Sequence, residues 1–172
     1  GSRKLLITQF EYSKKKFSDD ELNSALNFFI NHYSKNISNY SRTFPGILDC
    51  LNWLKSEKIK IAICTNKYEK LAKKLVKDLQ IYDYFSAITG SDTFNFRKPN
   101  PLHLENTIKI AGGNIVNAIM IGDSKTDFET AKNAKIPIVI VDWGYSDIPA
   151  ESIGGDMFVK NSTELIIAIK NI

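Results

Sequence analysis

Cysteine is scarce in this chain. Cys50 and Cys64 are the only two, and they show no metal-ligand spacing. A disulfide framework is excluded, as is a zinc site built on paired cysteines. Cys64 ends a run that predicts a strand, where a small apolar thiol packs as core. Arginine is nearly as rare: Arg3, Arg42 and Arg97 are the only ones. The net charge of +4 therefore comes from lysines, which are spread along polar helix faces rather than gathered in one run. That pattern does not indicate nucleic-acid binding, whereas a mildly positive surface favours a small anionic substrate. No apolar run approaches the roughly 20 residues that span a bilayer. There is no signal peptide, no repeat and no low-complexity tract, so the default expectation is a cytoplasmic protein without a membrane partner. His32 and His103 are the only histidines, and both read as outward-facing residues on helices. Initiator methionine is lacking too; Gly1-Ser2 points to a processed, tagged or cut polypeptide.

What is present is enough for a real core. The chain has 172 residues, 43% of them apolar and 24% charged, which predicts one medium domain or a core with a small appendage. Residues 1–43 read as polar and helical. Ser18 and Glu21 have capping-box spacing, with Asp19 and Asp20 favouring the same helix start. Leu22, Ala25, Leu26, Phe29 and Tyr33 then share one face, and Leu5, Leu6 and Phe10 predict a shorter helix before them. Phe44-Pro45-Gly46 breaks the pattern. Residues 44–172 alternate strand and helix: strands at Ile59–Cys64, Ala87–Thr89, Ala118–Ile121 and Ile136–Val141, and a short edge strand at Asp156–Val159. Helices fall between them and close the chain around Thr163–Lys170. Such alternation with short loops predicts an α/β, Rossmann-like fold, a parallel sheet with helices on both faces.

Three strand ends carry chemistry. After Cys64 come Thr65 and Asn66, a hydroxyl and an amide leading toward a helix N-terminus, where backbone N–H groups favour anions; either residue also suits a helix cap. Lys98 sits in Arg97-Lys98-Pro99-Asn100-Pro101, whose prolines stiffen the backbone so that the lysine serves as a fixed point charge. Gly122-Asp123-Ser124 with Asp127 follows Ala118–Ile121, four apolar residues in a row that read as a buried parallel strand. There Gly122 is expected to turn the chain, and Asp123 suits a hard cation such as Mg²⁺.

A hydroxyl, a lysine and an acidic pair, in that order, resemble the haloacid dehalogenase superfamily. Thr65-Asn66-Lys67, Gly90-Ser91-Asp92-Thr93, residues 97–101 and Gly122-Asp123-Ser124 together resemble its phosphoglycolate phosphatase branch, and Phe44-Pro45-Gly46 and Trp143-Gly144-Tyr145 fit it as well. The resemblance implies that 1–43 is part of a helical cap and that 44–172 is the α/β core. It further implies an Mg²⁺-dependent phosphomonoester hydrolase working through an aspartyl-phosphate, with a small phosphorylated acid, phosphoglycolate first, as substrate. Thr65 and Asn66 would hold the phosphoryl oxygens, Lys98 would offset charge on nucleophile and phosphate, Asp123 would bind Mg²⁺, and Asp127 would orient Lys98 or a metal-bound water.

One departure is large. The family's first motif, a strand ending in Asp-X-Asp that carries the nucleophile, has no match here. Asp142 follows a strand, but that strand comes too late in the order. The resemblance places the absent strand at the centre of the sheet, between those ending at Cys64 and Ile121. The resulting expectation is a fragment, inactive alone, whose open sheet associates with the missing N-terminal segment or with a second copy. The alternatives are another sugar-phosphate phosphatase or phosphomutase, and a non-catalytic phosphate-binding module.

Overall fold

The computed structural model describes residues 2–13 and 17–172, with residues 2–5 described in their backbone only, so the expected apolar position Leu5 lies outside the described side chains. Two compact units are present, 1–41 and 42–172. The first holds helices α1 (Ser2–Tyr12) and α2 (Asp19–Lys35). At the start of α2 the Glu21 N–H donates to the Ser18 hydroxyl at 3.2 Å, and the Ser18 N–H donates to the Glu21 carboxylate at 2.8 Å. This reciprocal box satisfies donors that a helix start otherwise leaves open. Leu22 is buried, Ala25, Leu26, Phe29 and Tyr33 are half-buried, and His32 is exposed, as the apolar stripe predicts.

In the second unit the order is α3 (Ile47–Ser56), β1 (Ile61–Cys64), α4 (Glu69–Asp78), β2 (Phe85–Thr89), α5 (Pro101–Ile110), β3 (Met120–Gly122), α6 (Lys125–Ala134), β4 (Ile138–Val141), β5 (Met157–Val159) and α7 (Ser162–Asn171). Every strand pairing is parallel. Strand β4 shows why its sequence is an unbroken apolar run. Ile138 and Ile140 pack with Leu104 of α5 and Ala131 and Ala134 of α6. Val139 and Val141 pack on the opposite face with Cys50 of α3 and Leu165 and Ala168 of α7. Alternate side chains of a strand point to opposite faces, so a strand covered by helices on both sides needs no polar positions. Strand β3 starts later than its apolar run predicts. Ile115–Asn117 wind into a 3₁₀ turn, in which the Val116 N–H donates to the Asn114 side chain at 3.1 Å, and the ladder begins only at Met120.

The parallel sheet is in two pieces. β1 pairs with β2, and β3 pairs with β4, which pairs with β5; β1 and β3 do not pair with each other. Between them lies a cavity of about 280 Å³ lined by Ile61, Ala62 and Cys64 of β1, Met120 and Ile121 of β3, Cys50 and Leu51 of α3, and Leu104 of α5. Each of the two strands has a ladder partner on one side only, so both edges facing this apolar slot carry open N–H and C=O groups. The slot lies where the resemblance puts the absent strand.

Candidate active site

The sequence-predicted residues lie after the carboxyl ends of β1, β2 and β3: Thr65, Asn66, Lys98 and Asp123 on the loops, and Asp127 in the first turn of α6. After β1 the Thr65 N–H still donates to the Thr89 carbonyl at 3.1 Å, continuing the β1–β2 ladder by one bond. The Thr65 hydroxyl then accepts the Lys67 N–H at 3.1 Å. Neither Thr65 nor Asn66 caps α4: the helix starts only at Glu69, after Tyr68, and the Glu69 N–H donates to Asp92 at 2.7 Å from the loop after β2. The Asn66 side chain has another use, donating to the Lys98 carbonyl at 3.0 Å. It therefore grips the main chain of the lysine on the next loop.

Lys98 is not a solvated loop lysine. Its side chain is 11% exposed and its Nζ donates to Asp127 Oδ1 at 2.5 Å. Asp127, 7% exposed at the side chain, uses both oxygens. Oδ2 accepts the Ser124 hydroxyl at 2.7 Å and the N–H groups of Asp123 and Ser124 at 3.2 Å each. In return the Asp127 N–H donates to the Ser124 hydroxyl at 3.3 Å, so Asp127 also completes the capping box of α6. Burial pushes the Asp127 carboxyl up. The Lys98 charge and the hydrogen bonds from Lys98, Ser124 and the Asp123 N–H outweigh that, and the group lies below the ordinary carboxylate range.

Asp123 stands at the tip of β3, and its Oδ2 accepts the Tyr145 N–H at 2.8 Å from the loop after β4. Two glycines make room for the acidic pair. A Cβ on Gly144 would lie 2.0 Å from Asp123 Cβ, and one on Gly122 would lie 2.4 Å from Asp127 Cβ. Gly122 is thus required by close approach. Its φ is not in the left-handed region, so it is not the conformational hinge that the sequence suggests.

Lys98, Asp123 and Asp127 line one cavity of about 270 Å³ with Phe44, Trp143 and Gly144. Thr65 and Asn66 do not line it; Asn66 is tied to it through its bond to the Lys98 carbonyl. Asp142 shares a neighbouring cavity of about 310 Å³ with Asp123, Ser146 and Asp147. Among the described residues no group of three or more His, Cys, Asp or Glu side chains is placed to enclose a metal ion. With Asp127 spent on Lys98 and Ser124, Asp123 is the carboxylate of the lysine-containing cavity left to meet a cation. A Mg²⁺ ion keeps several waters and takes few protein carboxylates, so Asp123 fits as one ligand, and further ligands must come from elsewhere.

Sequence reasoning placed His103 on a surface, and the structure corrects this: its relative exposure is 0%. His103 Nδ1 accepts the Lys98 N–H at 3.2 Å, and Nε2 lies 3.2 Å from the Thr89 hydroxyl. The helical pattern of α5 rests on Leu102, Ile108 and Ala111, which hid a polar seam on another face. The signal was the four-residue spacing of His103 and Thr107.

Residues 4–141 match the family model described as haloacid dehalogenase-like hydrolase. The phosphoglycolate phosphatase of Mesorhizobium japonicum is 42% identical over 147 residues, which cover 86% of this chain and 65% of that protein. That of Agrobacterium fabrum is 36% identical over 98% of this chain and 72% of its own length. The chain thus spans about two thirds of the length of these relatives. Among solved structures, a predicted phosphoglycolate phosphatase from Haemophilus somnus 129PT superposes with a TM-score of 0.90 at 23% identity, covering 97% of this chain and 75% of that one. A β-phosphoglucomutase from Clostridium difficile gives 0.77 at 24% identity, covering 99% and 77%. At those identities the two structures speak for the fold alone. With its strand-end residues in place and its family model matched over most of its length, this chain belongs to the haloacid dehalogenase-like hydrolases.

Proposed function

We propose that this chain is the larger part of a phosphomonoester hydrolase acting on a small phosphorylated acid, 2-phosphoglycolate first, and that it lacks the nucleophile. The observation that carries this reading is the buried Lys98–Asp127 pair, lining one cavity with Asp123 at the carboxyl end of β3. A fixed ammonium there offsets the charge of a phosphoryl group and of the carboxylate that attacks it. Mg²⁺, with Asp123 as one ligand, would supply further positive charge at the phosphoryl oxygens. Thr65, on the strand-end loop whose Asn66 holds the Lys98 carbonyl, would offer a hydroxyl to the same oxygens. Substrate identity is drawn from the names of the relatives. A cytoplasmic setting goes with the reading; Cys50 and Cys64 are free thiols, and no described helix is long and apolar enough to cross a membrane.

In this reading the attacking aspartate arrives on a parallel strand that fills the slot between β1 and β3, placing its carboxyl end beside Lys98. A carboxylate oxygen of that aspartate bonds to phosphorus as the ester P–O bond breaks. The leaving oxygen takes a proton from a neighbouring acid, and water then cleaves the acyl-phosphate to release phosphate. Nothing in the chain itself supplies that aspartate. Phosphate release from 2-phosphoglycolate in Mg²⁺ should therefore be at background for the 172-residue chain. It should appear when an apolar strand peptide ending in Asp-X-Asp is added or encoded upstream. Turnover by the chain alone, with its mass verified, would make Asp142 the first suspect nucleophile and end the slot argument. Phosphate binding without turnover in the complemented protein would favour a non-catalytic phosphate-binding module.

A further inference from the structure

Lys98 is gripped at three points. Its side chain reaches Asp127, its carbonyl accepts the Asn66 amide at 3.0 Å, and its N–H donates to His103 Nδ1 at 3.2 Å. The third point leads into the core. His103 Nε2 lies 3.2 Å from the Thr89 hydroxyl, Thr89 and Thr107 hydroxyl oxygens are 2.6 Å apart, and the Thr107 hydroxyl donates to the His103 carbonyl at 2.6 Å. All three residues are buried, with exposures of 0–1%.

The proton positions follow from these partners. A main-chain N–H only donates, so Nδ1 must be bare. A neutral imidazole then carries its proton on Nε2, which donates to Thr89. Thr107 has one hydroxyl proton and spends it on the His103 carbonyl at 2.6 Å, so the Thr89 proton goes to Thr107 at 2.6 Å in preference to the Ile63 carbonyl at 3.3 Å. Each hydroxyl accepts one bond and gives one, and the chain of bonds returns to residue 103. A second proton on the ring would set Nδ1–H against the Lys98 N–H and add a charge near an ammonium; burial and then the Lys98 charge both lower the His103 pKa.

We propose that His103 is a positioning residue for Lys98: a neutral, Nε2-protonated ring that ties the lysine's main chain to Thr89 and Thr107 and so holds its ammonium over the site. His103 lines none of the site cavities and is fully buried, so it does not touch substrate. Phenylalanine would fill the space and keep the edge-on ring contact with Phe94, 5.7 Å between centroids. Only the polar tie would be lost.

The inference rests on Lys98 serving a phosphate site, and the test separates the two. Nitrogen NMR of the 172-residue chain should show His103 with bare Nδ1 and protonated Nε2. A proton on Nδ1 overturns the proposal whatever the protein does. Inorganic phosphate, titrated in Mg²⁺ buffer, should bind the His103→Phe variant about tenfold more weakly, the worth of roughly one buried hydrogen bond. His103→Asn, whose Oδ1 restores an acceptor near the Nδ1 position, should recover most of that loss. Melting temperatures of the two variants set aside plain loss of packing. If His103→Phe binds phosphate as the parent does while Lys98→Ala does not, the positioning role falls and the phosphate site stands. If Lys98→Ala also binds as the parent does, the phosphate reading falls. In that case faster hydrogen exchange of the Lys98 amide in His103→Phe, reversed in His103→Asn, would uphold the tie, and unchanged exchange would overturn it.

Discussion

Asp127→Asn removes one charge from a buried pair, and its cost can be worked from the surroundings. The Lys98 ammonium, at 11% side-chain exposure, loses its counter-charge. The new amide must also turn its NH₂ either toward Lys98 or toward the Ser124 hydroxyl and the N–H groups of Asp123 and Ser124, which now bond Oδ2. In either orientation a donor faces a donor. Breaking a buried pair by removing one partner costs roughly 3–5 kcal/mol. For a chain of this size each kcal/mol shifts Tm by about 2–4 °C, so the expected drop is about 6–20 °C. Lys98→Met should cost less, because the carboxylate keeps its other donors. The double variant should recover about 1–3 kcal/mol against the sum of the singles. Thermal and urea unfolding of the four proteins gives the cycle. Additive effects, each below about 1 kcal/mol, would show that the pair behaves like an exposed one and would refute the reasoning. The pH dependence has a definite sign. With its folded pKa below the unfolded value of about 3.9, Asp127 contributes its full stabilisation above that value and loses it as pH falls through the depressed folded one. Asp127→Asn should flatten that acid limb.

Gly144→Ala forces a methyl to within 2.0 Å of Asp123 Cβ. It should cost about 1–3 kcal/mol and displace Asp123, read as a lower Tm and weaker Mg²⁺ binding by calorimetry. Asp123→Asn should leave the unfolding free energy within about 1 kcal/mol of the parent, yet abolish Mg²⁺-dependent turnover in the strand-complemented protein; unchanged turnover would end its assignment as a ligand. The lining of the slot by Cys64 gives a direct probe. A strand peptide that docks there should slow thiol labelling of Cys64 and raise Tm with concentration, since a ligand of the folded state stabilises by mass action. Equal labelling with and without the peptide would show that the slot does not receive it. Ser124→Ala, which removes a cap and a donor to Asp127, should cost about 1 kcal/mol in chemical unfolding.

Much of this architecture was legible in the sequence, because burial writes itself into residue pattern. The apolar run Ile138–Val141 announces a strand covered on both faces, and Ser18 with Glu21 announces where α2 begins, since both effects act within a few residues. The apolar runs before Thr65 and Asp123 likewise announce that these residues stand at strand ends. Other features depended on residues far apart in the chain. Asn66 reads as a cap or an anion ligand until the loop after β2 folds against it and offers the Lys98 carbonyl, 32 positions away. Gly122 reads as a hinge until α6 brings Asp127 against it. His103 reads as a surface residue until α5 packs on β2, where the Thr89 and Thr107 hydroxyls give a fully buried imidazole the partners without which it would be too costly to bury. Local sequence determines periodicity and caps because those energies are local. The identity of a hydrogen-bond partner across loops is decided only by the tertiary fold that brings the loops together.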